Sequence, residues 1–229
     1  EVDLTSIGRL GRIWFGEDFS NDNDQSFLFN IPNIVTTSPL DIKIHVGAKS
    51  FAETKFNVKI NNQNLGSGQV IVSAIDDGIE ASHATLIATA TASPVININL
   101  KYDNSGVPTS KGYLDYISIK SKSTLKGFGK QYRFQYNLAS STTGVISYNF
   151  NSANNIKEIW DITDIYNVSK LQNTNQSNFS FKATLGSEKK YIAYDSSDLY
   201  IPLKDAQSRV FNQNLKGTVF KNSQGNFQD

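Results

Sequence analysis

The chain has 229 residues, 38% of them hydrophobic and 19% charged, with a formal charge of +1. That length suits two domains with packed cores, and so even a balance excludes the marked basic excess of a dedicated nucleic-acid binder. Cysteine is absent, which excludes disulfides, thiolate-ligated metals and a cysteine nucleophile within these residues. The start at Glu1 and the lack of methionine read as a mature or excised product. Apolar runs such as residues 84–90 (ATLIATA) are short and interrupted by threonine. They fall well below the roughly 20 apolar residues that span a bilayer, so no membrane-spanning segment is expected.

Along the chain the dominant period is two. Residues 40–46 (LDIKIHV), 56–60 (FNVKI) and 96–101 (ININLK) alternate apolar and polar side chains. Such strands bury one face and wet the other, the pattern of antiparallel sheets in a sandwich. Strands are expected over 26–31, 40–48, 55–61, 68–75, 84–92, 94–102 and 112–121, with turns at 61–66, 76–78 and 103–108, where Asn, Asp and Gly cluster. They define a first domain, residues 1–125, of jelly-roll type.

Residues 120–133 hold five basic side chains (Lys120, Lys122, Lys126, Lys130, Arg133) and no acidic one. The plain reading is a solvated linker; the sharper one is a patch for a polyanion or an acidic neighbour. A second domain, residues 126–203, follows with strands at 131–138, 144–150, 156–162, 178–185 and 190–195. Its size suggests a small immunoglobulin-like sandwich without the cysteine pair. The fold class is therefore all-β: two consecutive antiparallel β-sandwiches. Residues 167–178 read as an exposed loop, and Asn-x-Ser triplets at Asn167, Asn175 and Asn178 reflect its composition. Residues 203–210 are weakly helical, and residues 204–229 read as a linker.

The chemistry-bearing residues are few. His45 lies on the polar face of its strand and reads as solvated, while His83, before an apolar strand, reads as structural. Neither stands in a zinc or serine-triad pattern. Glu17, Asp18, Asp22 and Asp24 crowd an Asn-rich stretch, either a polar surface turn or oxygen ligands for Ca²⁺, although the spacing is not that of an EF-hand. Trp14, Phe15, Tyr102 or Tyr113 could stack sugars if exposed on a concave face, whereas Trp160, between Ile159 and Ile162, reads as a core anchor. No catalytic residue, cofactor or metal is expected.

Four motifs, in order, carry a family resemblance: residues 12–19 (RIWFGEDF), 112–117 (GYLDYI), 158–164 (EIWDITD) and 212–215 (NQNL). The series resembles the region before the peptidase domain in the PorU family, the gingipain-like sortases of the type IX secretion system of Bacteroidetes. The resemblance implies a surface or outer-membrane protein that removes C-terminal sorting signals from secreted cargo. In that family a caspase-like domain with a His–Cys dyad follows, so no catalytic residue transfers to a position of this sequence. The implied role is a non-catalytic accessory region whose partners are its own C-terminal peptidase domain, secreted cargo and other secretion components. The alternatives are a carbohydrate-binding module and an adhesin-type stalk segment.

Overall fold

Alternation becomes strand wherever one face can be buried. The computed structural model describes residues 4–7, 13–76 and 81–204; the expected helix over 203–210 and the motif at 212–215 fall almost wholly outside them. The first eight strands are β1 (Glu17–Asp18), β2 (Asp24–Asn30), β3 (Leu40–Lys49), β4 (Thr54–Ile60), β5 (Gln63–Val72), β6 (Ser82–Ala90), β7 (Val95–Asp103) and β8 (Lys111–Lys120). They form two antiparallel four-stranded sheets, ordered β1-β8-β3-β6 and β2-β7-β4-β5. This is the strand order of a jelly roll. Leu40, Ile42, Ile44 and Val46 of β3 face Phe56 and Val58 of β4 and Ile96, Ile98 and Leu100 of β7 in a dry core. Phe19 meets Phe56 edge to face at 5.3 Å.

Two short pieces depart from expectation. β5 starts at Gln63, inside the expected turn, because Asn61 and Asn62 alone make the reversal with φ of 46° and 67°. Asparagine tolerates that left-handed geometry in a two-residue hairpin loop. The two residues of β1 pair with Tyr113 and Leu114 of β8, a ladder too short to leave a periodic signal.

Six further strands follow: β9 (Tyr132–Gln135), β10 (Val145–Phe150), β11 (Ile156–Asp161), β12 (Ser169–Gln172), β13 (Phe179–Thr184) and β14 (Lys190–Asp195). They form a four-stranded sheet, β12-β11-β14-β9, and a two-stranded one, β10-β13. Around an aromatic core, Phe134 stacks on Tyr191 at 5.3 Å and Tyr148 on Phe181 at 4.9 Å. The immunoglobulin-like expectation meets a different strand order here. With β9, β10, β11, β12, β13 and β14 set against β1, β2, β3, β6, β7 and β8, the pairings repeat those of the first sandwich. Among the described residues a counterpart of the β4–β5 hairpin is missing. An immunoglobulin domain would instead pair its strands as A-B-E-D and C-F-G. β12 arises within the segment read as a loop; all four of its residues are exposed, so burial imposes no alternation there.

The stretch between the sandwiches is not a free linker. Val35 N–H donates to Lys122 O at 2.8 Å, and Asn151 N–H to Leu125 O at 3.0 Å, fixing the backbone on both sides. A Cβ on Gly127 would come within 2.2 Å of Ser152 O, so only glycine allows this approach. Lys130 pairs with Asp198 at 2.9 Å, and the Asp198 carboxylate also accepts from Gln131 N–H at 3.0 Å. Among the described residues no helix is long and apolar enough to cross a membrane.

Candidate functional site

The outer face of the β1-β8-β3-β6 sheet carries most of the unusual chemistry. Two of the sequence motifs meet on it. Glu17 and Asp18 pair with Leu114 and Tyr113, Gly16 N–H donates to Leu114 O at 3.0 Å, and Phe19 N–H to Gly112 O at 2.9 Å. Phe15 packs on Tyr113 at 6.1 Å. With Ile7, Ala81 and Ile13 these rings build a small second core outside the sheet. Gly47 makes the seat: a Cβ there would lie 2.6 Å from the Phe15 ring and 2.8 Å from Ile7.

On one side of this plug lie both histidines. The register places His83 opposite Gly47 and thus diagonal to His45. His45 Nε2 and His83 Nδ1 are 3.1 Å apart, and the rings stack at 5.0 Å. Asp115 reaches His45 Nδ1 at 3.8 Å, and Tyr116 flanks the ring at 5.5 Å. Burial pushes the His45 pKa below 6.5, helped by the charges of His83 and Lys43. His45 is therefore half-buried within a polar cluster, which corrects the solvated reading. Among the described residues no group of three His, Cys, Asp or Glu side chains is arranged to hold a metal.

On the other side a groove of about 600 Å³ opens between residues 5–7, Ser50, Phe51, Ile75 and Tyr113. Lys49 and Lys111, directly opposite each other in the ladder, line it. Sequence reasoning missed this pair, because its signal lies in the register of two strands some sixty positions apart.

The remaining candidates separate. Asp18 Oδ1 accepts from Ser20 N–H at 2.7 Å and Asp22 Oδ1 from Asp24 N–H at 3.4 Å, both within turns. Asp24 pairs with Lys101 at 3.3 Å and accepts from Asn99 Nδ2 at 2.7 Å, and these contacts hold its pKa below the ordinary value. Asp18, Asp22 and Asp24 are thus engaged separately rather than converging on one point. Phe15, Tyr102 and Tyr113 are buried and offer no exposed ring face, whereas Trp14 is exposed.

Trp160 is the clearest correction. Alternation from Ile159, which is fully buried, puts Trp160 on the outer face of the second sandwich, 36% exposed. There it stacks on Tyr194 at 5.7 Å with the planes 8° apart, and its Nε1–H donates to Glu158 at 2.6 Å. Lys170 pairs with Glu158 at 2.9 Å. Hydrogen bonds from Lys170 and Trp160 keep the Glu158 pKa below 4.5.

No protein-family model matches the chain, and no curated protein matches it. Among solved structures, the dimeric latent PorU from Porphyromonas gingivalis is similar at a TM-score of 0.68 and 14% identity, over 83% of this chain and 19% of that one. At that identity the likeness shows a PorU-like fold. This chain corresponds to about a fifth of the length of that protein. The carbohydrate-binding module CBM36, solved with calcium and xylotriose, aligns with a TM-score of 0.31 and 18% identity, over 42% of this chain and 72% of that one. A score so low carries no argument for either ligand.

Proposed function

We propose that this chain is a non-catalytic accessory region of a gingipain-family cysteine peptidase that acts as a type IX secretion sortase. In this reading residues 1–125 and 126–203 are its two domains, and residues 204–229 lead towards the peptidase domain. The whole protein would sit at the outer membrane or cell surface of a Gram-negative bacterium. There it would remove C-terminal sorting signals from secreted cargo, with this region positioning the peptidase or contacting cargo and secretion components. The reading is supported above all by the PorU-like fold over 83% of the chain. The pairing of residues 17–18 with 113–114 adds to it, since two motifs chosen from sequence lock together as one structural unit.

The test is to read the source gene beyond the codon for Asp229. An α/β stretch bearing a histidine and, further on, a cysteine is expected. More sandwich repeats or a stop codon would sink the reading. The purified chain should turn over no peptide substrate.

A second reading, a carbohydrate-binding or adhesin-type surface module, draws on Trp160, exposed on the outer face and stacked on the half-buried Tyr194, since an exposed indole suits the apolar face of a sugar. It expects glycan-array binding by the chain that disappears in Trp160→Ala.

A further inference from the structure

The repeated strand order exposes a vacancy in the second sandwich. In the first, β7 is flanked by β2 on one side and β4 on the other. Its inward residues Ile96, Ile98, Leu100 and Tyr102 are buried. β13 holds the place of β7 and pairs with β10 on one side. Where β4 would lie, no strand pairs with it among the described residues. Its inward residues Phe179, Phe181 and Ala183 remain only half-buried. Across the sandwich Leu171, which shares a face with buried Ile159 through the ladder, is 44% exposed. One side of β13 therefore presents unpaired backbone donors and acceptors beside an apolar strip, the two requirements for strand addition.

We propose that the free edge of β13 accepts an extended peptide segment from a protein partner. The segment would run antiparallel to β13, with apolar side chains at alternate positions and an acidic residue among the polar ones. The chemistry of the occupant follows from β4, which fills this place in the first sandwich. β4 alternates Phe56, Val58 and Ile60 into the core with Lys55, Asn57 and Lys59 outside, and Lys55 pairs with Asp103 of β7 at 3.5 Å. On β13 the exposed polar position at the centre is Lys182. A lysine on an edge strand discourages pairing with a second copy of the same edge and favours a partner carrying the opposite charge. The inference goes beyond the proposed function and holds whether or not a peptidase follows.

The experiment uses the whole 229-residue chain and a synthetic, end-capped peptide of residues Thr54–Ile60 carrying Lys55→Glu and Lys59→Glu. Amide exchange over 179–184 is expected to slow at least tenfold on adding the peptide. The unaltered lysine-bearing peptide should bind at least fivefold more weakly, and Lys182→Glu in the protein should reverse that preference. A peptide also carrying Val58→Pro, which lacks a backbone donor and strand geometry, should give no protection. Three results would overturn the proposal: no slowing over 179–184, equal protection by the proline peptide, or indifference to the charge at 182. A dimer in ultracentrifugation that Ser180→Pro abolishes would overturn it as well, by assigning the edge to a second copy.

Discussion

The two sandwiches share a strand order and differ in how completely they are closed. The first sets four strands against four and buries its aliphatic core almost entirely. The second sets four against two and relies on rings: Phe134, Tyr148, Phe150, Phe181 and Tyr191 pack with centroids about 5 to 6 Å apart. Large rings cover more area per residue than aliphatic side chains, so a sheet with half the strands can still build a core. The cover is incomplete, and the inward faces of β13 and β12 show it. Closure of a sandwich is thus a matter of strand count as well as of hydrophobic pattern, because β7 and β13 alternate equally well.

The largest expected effects test that contrast. Phe56→Ala should cost about 3–5 kcal/mol, the range for a buried aromatic in a core that cannot collapse; the ring is fully buried between Phe19 and Tyr102. Phe181→Ala should cost about half as much, since a half-exposed ring loses less on truncation. Urea unfolding of the two variants, followed by circular dichroism, gives both values. Equal losses would mean that the inward face of β13 is as well covered as that of β4. Next in size is Gly127→Ala, expected to cost about 1–3 kcal/mol because the segment 121–131 must move away from Ser152. A neutral result would show that this segment yields freely, contrary to its hydrogen bonds on both sides.

Much of the first sandwich was legible because its strands each have one dry face, and burial writes period two into the sequence. β3 is the clean case, with alternation from Leu40 to Val46. β1 and β12 were not legible, the one for its length and the other for lack of a buried face. The error at Trp160 has a physical origin too. Apolar neighbours suggested a core, yet on a strand the residue next to a buried Ile159 must point the opposite way. The site on the outer face was half legible. Its motifs were visible, but the meeting of His45 with His83, and of Lys49 with Lys111, depends on register, which no local pattern encodes.

The smaller effects sharpen the comparison at the outer face of the second sandwich. Trp160→Ala should lower stability by about 1 kcal/mol or less, the scale of a cross-strand aromatic pair on an outer sheet face. A loss near that of Phe56→Ala in the same unfolding measurement would return Trp160 to the core.

Its partner Glu158 gives a final, finer probe. Hydrogen bonds from Lys170 and Trp160 favour the carboxylate and depress its folded pKa below 4.5. A group depressed on folding contributes stability that is present above its unfolded pKa and lost as pH falls through the folded one. Acidification should therefore weaken the second sandwich only below about pH 4.5, without a step near neutrality from this group. The chain holds two tryptophans, so Trp14→Phe leaves Trp160 as the sole indole reporter. In that variant the fluorescence should change as Glu158 takes up its proton and its bond from Nε1–H loses the charge that strengthens it, with a midpoint below 4.5. Glu158→Gln should remove the transition while the fold persists. A midpoint unchanged by that substitution would mean that the indole senses another group, and that the Trp160–Glu158–Lys170 chain is not held together in solution.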